Sequence, residues 1–72
     1  TTEENTQVEI MKNRVRQYRK TCKMTQQELA EKLNVTRQTI IAIENEKYDP
    51  TLKLAIKISR LFNLPVETLF YE

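Results

Sequence analysis

Three side chains in this sequence have the types and spacing needed to read base-pair edges: Arg37, Gln38 and Ile41. Arg can bond bidentately to guanine and Gln to adenine, while an apolar side chain suits a thymine methyl. On a helix these three share one face, and Ile40 and Ile43 share the other. Around them lie groups suited to a phosphate backbone. Gln26 stands at the expected start of the preceding helix, Thr36 and Thr39 flank the first turn, and Asn45 and Lys47 follow its end. Gln26 and the unpaired N–H groups of its helix can together hold one phosphate oxygen. Catalysis has far less to work with. The chain has no His and one Cys, and no Gly-rich phosphate loop or metal-ligand constellation. Of the acids near these groups, Glu28 is accounted for as a cap and Glu31 as a helix surface. No enzyme, metal site, cofactor or small-molecule ligand is therefore expected.

The elements that must position these residues are legible nearby. Thr25-x-x-Glu28 is a capping box, in which each side chain satisfies the other's backbone N–H. Leu29, Ala30 and Leu33 recur at one-turn spacing and mark a buried face. Asn34 can end that helix in the left-handed conformation. Thr36 caps the next helix, expected to run to about Asn45, with Val35 and Ile40 as a hydrophobic staple. The pattern has two readings: a helix-turn-helix that presents its second helix to DNA, or a plain helical hairpin whose Arg and Gln keep it soluble.

The string TQQELAEKLNVTRQTIIAIEN, residues 25–45, resembles the helix-turn-helix of Cro/cI-type (Xre family) repressors, and the likeness continues through KYDPTLKLAIKISRLFNLPVETLF. It covers about residues 12–70. It implies an all-α, five-helix lambda-repressor-like DNA-binding domain, in some members with a short terminal two-stranded β ribbon. It also implies an ion pair between Arg19 and Glu44 that clamps the first helix to the third, and a DNA-backbone contact at Arg14. Members bind double-stranded DNA as two-fold dimers on inverted repeats, with recognition helices about 34 Å apart. Two positions depart from the family: Lys23 and Glu46 stand where glycines are common. Both are expected at left-handed or turn positions, and Glu46 brings a negative charge toward the expected phosphate track.

Seventy-two residues make one domain, and so small a chain has a thin stability margin that a second subunit would widen. The formal charge of +2 is unevenly spread. Residues 1–11 hold Glu3, Glu4 and Glu9 and no base, a balance of −3; residues 12–72 hold 12 Lys and Arg against 7 acids, a balance of +5. The basic part suits a phosphate-binding surface. No apolar run approaches the roughly 20 residues of a membrane span. The lone Cys22 fits a reducing cytoplasm, as an inert thiol after the first helix.

Residues 1–11 are expected as a polar tail or, alternatively, as a strand at Gln7–Met11 pairing with Leu69–Glu72; Met11 also reads as an alternative start. The first helix is expected over Lys12–Thr21, with Val15 and Tyr18 inward and Arg16 and Lys20 on a solvated face. The fourth helix opens at Asp49-Pro50-Thr51, with Asp49 or Thr51 as its cap, and lines its inner face with Leu52, Ala55, Ile58 and Phe62, while Leu54 and Leu61 extend the stripe. Asn63 ends it, and Pro65 starts a last short helix to about Phe70, leaving residues 71–72 as the chain's end. Leu64, Leu69 and Phe70 look like more apolar surface than this core can absorb. That excess points to a homodimer interface using Leu64, Pro65 and Phe70. The expected function is a DNA-binding transcriptional regulator, most simply a repressor that occupies a promoter. The alternative is an antitoxin-like or coactivator-like adaptor that keeps the fold without base readout.

Overall fold

The computed structural model describes residues 11–72. In chain order the elements are β1 (Lys12–Asn13), α1 (Val15–Thr21), α2 (Gln26–Leu33), α3 (Arg37–Glu44), α4 (Leu52–Phe62), α5 (Val66–Leu69) and β2 (Phe70–Tyr71). Five helices with a two-stranded ribbon are the expected all-α architecture.

Each helix boundary has a local cause. Thr25 and Glu28 form the capping box at the head of α2, with both reciprocal bonds present. Thr36 Oγ1 accepts the Thr39 N–H at the head of α3, and Thr51 Oγ1 accepts the Leu54 N–H at the head of α4. Asn34 and Asn63 close α2 and α4 at φ 59° and 58°. Lys23 and Glu46 take the same left-handed conformation at φ 59° and 58°, as their place in former glycine positions predicts.

The amino-terminal boundary differs from expectation. The first helix starts at Val15, and Lys12–Asn13 pair antiparallel with Phe70–Tyr71, Lys12 opposite Tyr71 and Asn13 opposite Phe70. Asn13 explains the shift. Its Oδ1 accepts the Val15 N–H at 3.1 Å, so it serves the helix from outside. Its Nδ2 donates to the Ile43 carbonyl at 2.9 Å, tying the ribbon to the end of α3. Of the strand expected at Gln7–Met11, residues 7–10 lie outside the described residues and Met11 is not part of a strand; Phe70–Tyr71 pair with Lys12–Asn13 instead. Of the two caps expected for α4, Thr51 takes the role, and Asp49 accepts the Met11 N–H at 3.2 and 3.4 Å.

One core joins all five helices: Val15 from α1, Leu29, Ala30 and Leu33 from α2, Ile40 and Ile43 from α3, Leu54, Ala55 and Ile58 from α4, and Leu69 from α5, with Phe70 of β2. Two expectations fail here. Leu52 does not line the inner face of α4; it is 74% exposed. At about 100° per residue it projects some 200° away from Leu54, which is buried as the stripe predicts. The core also absorbs Leu69 completely and leaves Phe70 only 6% exposed. Phe70 is therefore a core residue and not a free contact for a second subunit. Leu64 is half-buried and Pro65 exposed.

Candidate nucleic-acid interface

The turn between α2 and α3 is Asn34, Val35 and Thr36. The left-handed Asn34 reverses the chain, and the Val35 N–H donates to the Ala30 carbonyl at 3.0 Å. Val35 packs against the core and fixes the entry to α3. Ile40 and Ile43 then anchor α3 from below. Their burial sets the rotation of the helix, and the same rotation turns Arg37 and Gln38 fully outward. Ile41 is half-buried, so part of its side chain remains available beside them. Thr39 is half-buried, and its Oγ1 lies 3.1 Å from Thr36 Oγ1, which leaves both hydroxyls at the edge of the helix.

Beneath this surface sits one carboxylate. Glu44 ends α3 with a side chain that has no exposed surface, and four donors converge on it. Arg19 Nε reaches Oε2 at 2.6 Å and Arg19 Nη2 reaches Oε1 at 3.2 Å. Gln26 Nε2 and Arg16 Nε reach Oε1 at 3.2 and 3.4 Å. Burial pushes this carboxyl's pKa up, but the Arg19, Gln26 and Arg16 bonds and the Arg19 charge together outweigh it and hold the pKa below the ordinary glutamate value. Arg19 also donates to the Met24 carbonyl at 2.7 Å, which closes the exit of α1. The expected clamp between α1 and α3 is thus in place, with a hydrogen-bonded pair instead of a bare contact.

Two expected phosphate contacts have partners inside the protein. The Gln26 amide is partly committed to Glu44. Arg14 turns to the carboxyl-terminal segment, where its Nη1 donates to the Thr68 carbonyl at 2.8 Å and its guanidinium lies 4.1 Å from the centre of the Tyr71 ring. These contacts tie it to the ribbon. Asn45 and Lys47 are exposed at the end of α3, with Glu46 between them.

Sequence reading missed Arg16. It lies on a solvated face as expected, but from there it bonds both Glu44 and, at 2.7 Å, Asn45 Oδ1. A signal was available: Arg16 precedes Arg19 by three residues and so shares its helix face.

Two short helices set across a tight turn, the second held from beneath by a buried ion pair, define the helix-turn-helix class. The chain belongs to that family, in its Xre-type branch: the helix-turn-helix family model matches residues 15–69. Relatives agree. An uncharacterized HTH-type transcriptional regulator of Methanocaldococcus jannaschii is 56% identical over 63 residues, covering 86% of this chain and 96% of the relative. One from Archaeoglobus fulgidus is 50% identical over 60 residues, covering 83% and 86%, and YgzD of Bacillus subtilis is 43% identical over 61 residues, covering 85% and 92%. Among solved structures, a candidate DNA-binding protein from Bacteroides fragilis superposes with a TM-score of 0.74 at 27% identity, covering 83% of this chain and 97% of that one. Iron(II) HppE in complex with substrate also superposes, at TM-score 0.70 and 26% identity, but the match takes in only 33% of that protein. Among the described residues no three His, Cys, Asp or Glu side chains gather as a metal-ligand group, and no helix is long and apolar enough to cross a membrane.

Proposed function

We propose that this protein is a sequence-specific regulator of transcription that lays α3 in the major groove of double-stranded DNA. The observation that carries the reading is the outward presentation of Arg37 and Gln38 on a helix whose rotation is fixed by Ile40, Ile43 and Glu44. Arg37, Gln38 and the exposed part of Ile41 read base edges. Thr36, Thr39, Asn45 and Lys47 contact the sugar-phosphate backbone, with Gln26 contributing its remaining N–H. Backbone contacts of this kind set register, and base contacts set sequence preference.

The protein acts as a homodimer on an inverted repeat, and as a repressor by occupying a promoter. A single module of this size contacts one half-site, and two-fold symmetry in the operator mirrors two-fold symmetry in the protein. With Phe70 in the core, the available apolar surface near the last helices includes Leu64, Pro65 and the exposed Leu52 and Leu61. Regulators in the relatives' names support the assignment, and the basic balance of residues 12–72 suits it.

Selection of bound sites from random duplexes tests the reading. A palindromic motif bound with steep salt dependence is expected. Recovery of no motif, with affinity insensitive to salt, would overturn it in favour of an adaptor that binds protein.

A further inference from the structure

Arg16 reaches from α1 to the end of α3, where its Nη2 donates to Asn45 Oδ1 at 2.7 Å and its Nε lies 3.4 Å from Glu44 Oε1. Glu44 does not depend on it for charge compensation, because Arg19 already donates to both carboxylate oxygens. Half of the Arg16 side chain, 50%, remains exposed, and ion pairs in that setting contribute little to folding. Its shortest bond goes to a neutral amide instead.

A guanidinium only donates, so the amide of Asn45 must turn its oxygen toward Arg16. Its NH2 group is then directed away from the protein's own donors. Phosphate oxygens only accept, so this is the face of an amide that can bond a nucleic-acid backbone. Gln26 is held in the opposite sense. Glu44 only accepts, so Gln26 turns its Nε2 inward and keeps its oxygen and a single N–H for anything outside. One buried carboxylate and one arginine thus set the two amides that flank the recognition helix in contrary orientations.

We infer that Arg16 is a positioning residue for a DNA-backbone contact: it fixes Asn45 with both amide donors outward at the exit of α3, without touching the phosphate itself. The inference rests on the DNA-binding reading above. It makes Asn45 the main amide donor of the interface and Gln26 the lesser one.

A double-mutant cycle on a mixed-sequence duplex, titrated across a range of salt, tests it. Arg16→Ala and Asn45→Ala are each expected to weaken binding about fivefold, the size of one lost hydrogen bond. The double variant binds no more weakly than either single one, because the two residues act as a unit. The salt slope stays at the wild-type value in all three, since no phosphate-neutralising charge is removed. Asn45→Asp keeps an acceptor for Arg16 but has no donor and adds a charge that the backbone repels, so it melts no lower than wild type and loses more binding than Asn45→Ala. Effects of the two alanine variants that multiply, with a slope smaller by about 1 for Arg16→Ala, would make Arg16 a direct phosphate contact and overturn the inference. So would wild-type affinity in Arg16→Ala. A wild-type protein that binds no duplex overturns the DNA reading first. Binding by wild type with an additive cycle removes only the role of Arg16.

Discussion

Arg19 Nε lies 2.6 Å from Glu44 Oε2, and both side chains are buried, one from α1 and one from the last position of α3. The pair fastens the amino-terminal helix to the far end of the recognition helix across 25 residues of sequence. Removing Arg19 leaves a carboxylate without its main partner in a place water does not reach. Arg16 and Gln26 still bond it, so the cost falls at the low end for broken buried pairs, about 3 kcal/mol. Urea unfolding of Arg19→Ala against wild type measures it. A change under about 1 kcal/mol would mean that Arg16 and Gln26 suffice, and that the pair is no clamp.

The same carboxyl sets an acid limit. Its folded pKa lies below the ordinary glutamate value, so it binds a proton more readily in the unfolded chain. The stability it contributes is therefore complete above that value and is lost as pH falls through the lower, folded pKa. Thermal midpoints measured between neutral pH and strongly acidic solution should decline below about pH 4.5. In Glu44→Gln the decline should be shallower, from a lower starting stability. An unchanged acid profile in that variant would assign the acid limit to other carboxylates.

Base discrimination should reside in Arg37 and Gln38. Replacing either by Ala is expected to remove about 1–3 kcal/mol of preference between the selected site and a site altered at the contacted base pair. Binding to unrelated duplex should change little for Gln38→Ala. For Lys47→Ala the outcome is the reverse: affinity falls alike on every sequence, and the salt slope drops by about 1. Competition titrations with matched and altered duplexes separate the two patterns.

Much of this arrangement was legible in the residues. Thr25, Glu28, Asn34, Thr36 and Asn63 act within a turn of where they stand, so local chemistry alone placed the helix ends they govern. The Arg19–Glu44 pair came from family resemblance, because nothing local links residues so distant. What escaped were choices between partners. Asn13 can sit in a helix, and only the carbonyl of Ile43 and the strand at Phe70–Tyr71 draw it into the ribbon. Arg14 looks able to meet a phosphate, and only the folded chain brings the Thr68 carbonyl and the Tyr71 ring beside it. Leu52 satisfies the apolar count of α4 as well as Leu54 does, and the phase of the helix against its neighbours buries Leu54 instead. Each miss concerns a side chain whose fate depends on an element far away in the chain.

Lys23 and Glu46 offer a final test, because they share one backbone conformation and differ in surroundings. Both are non-glycine residues at positive φ, 59° and 58°, where a Cβ crowds the following carbonyl. Lys23→Gly and Glu46→Gly should each raise stability, by up to about 1 kcal/mol after the added freedom of glycine in the unfolded chain is offset. Their effects on DNA should diverge. Lys23 follows the cap of α1, and its loss removes a positive charge, so affinity holds or falls slightly. Glu46 lies between Asn45 and Lys47 at the exit of α3, and its loss removes a repulsive charge from the backbone contact, so affinity should rise on matched and unrelated duplexes alike. Thermal melts and salt-dependent titrations of the two variants, run side by side, measure both quantities. Equal gains in affinity from both, or none from Glu46→Gly, would place the phosphate track elsewhere than at the end of α3.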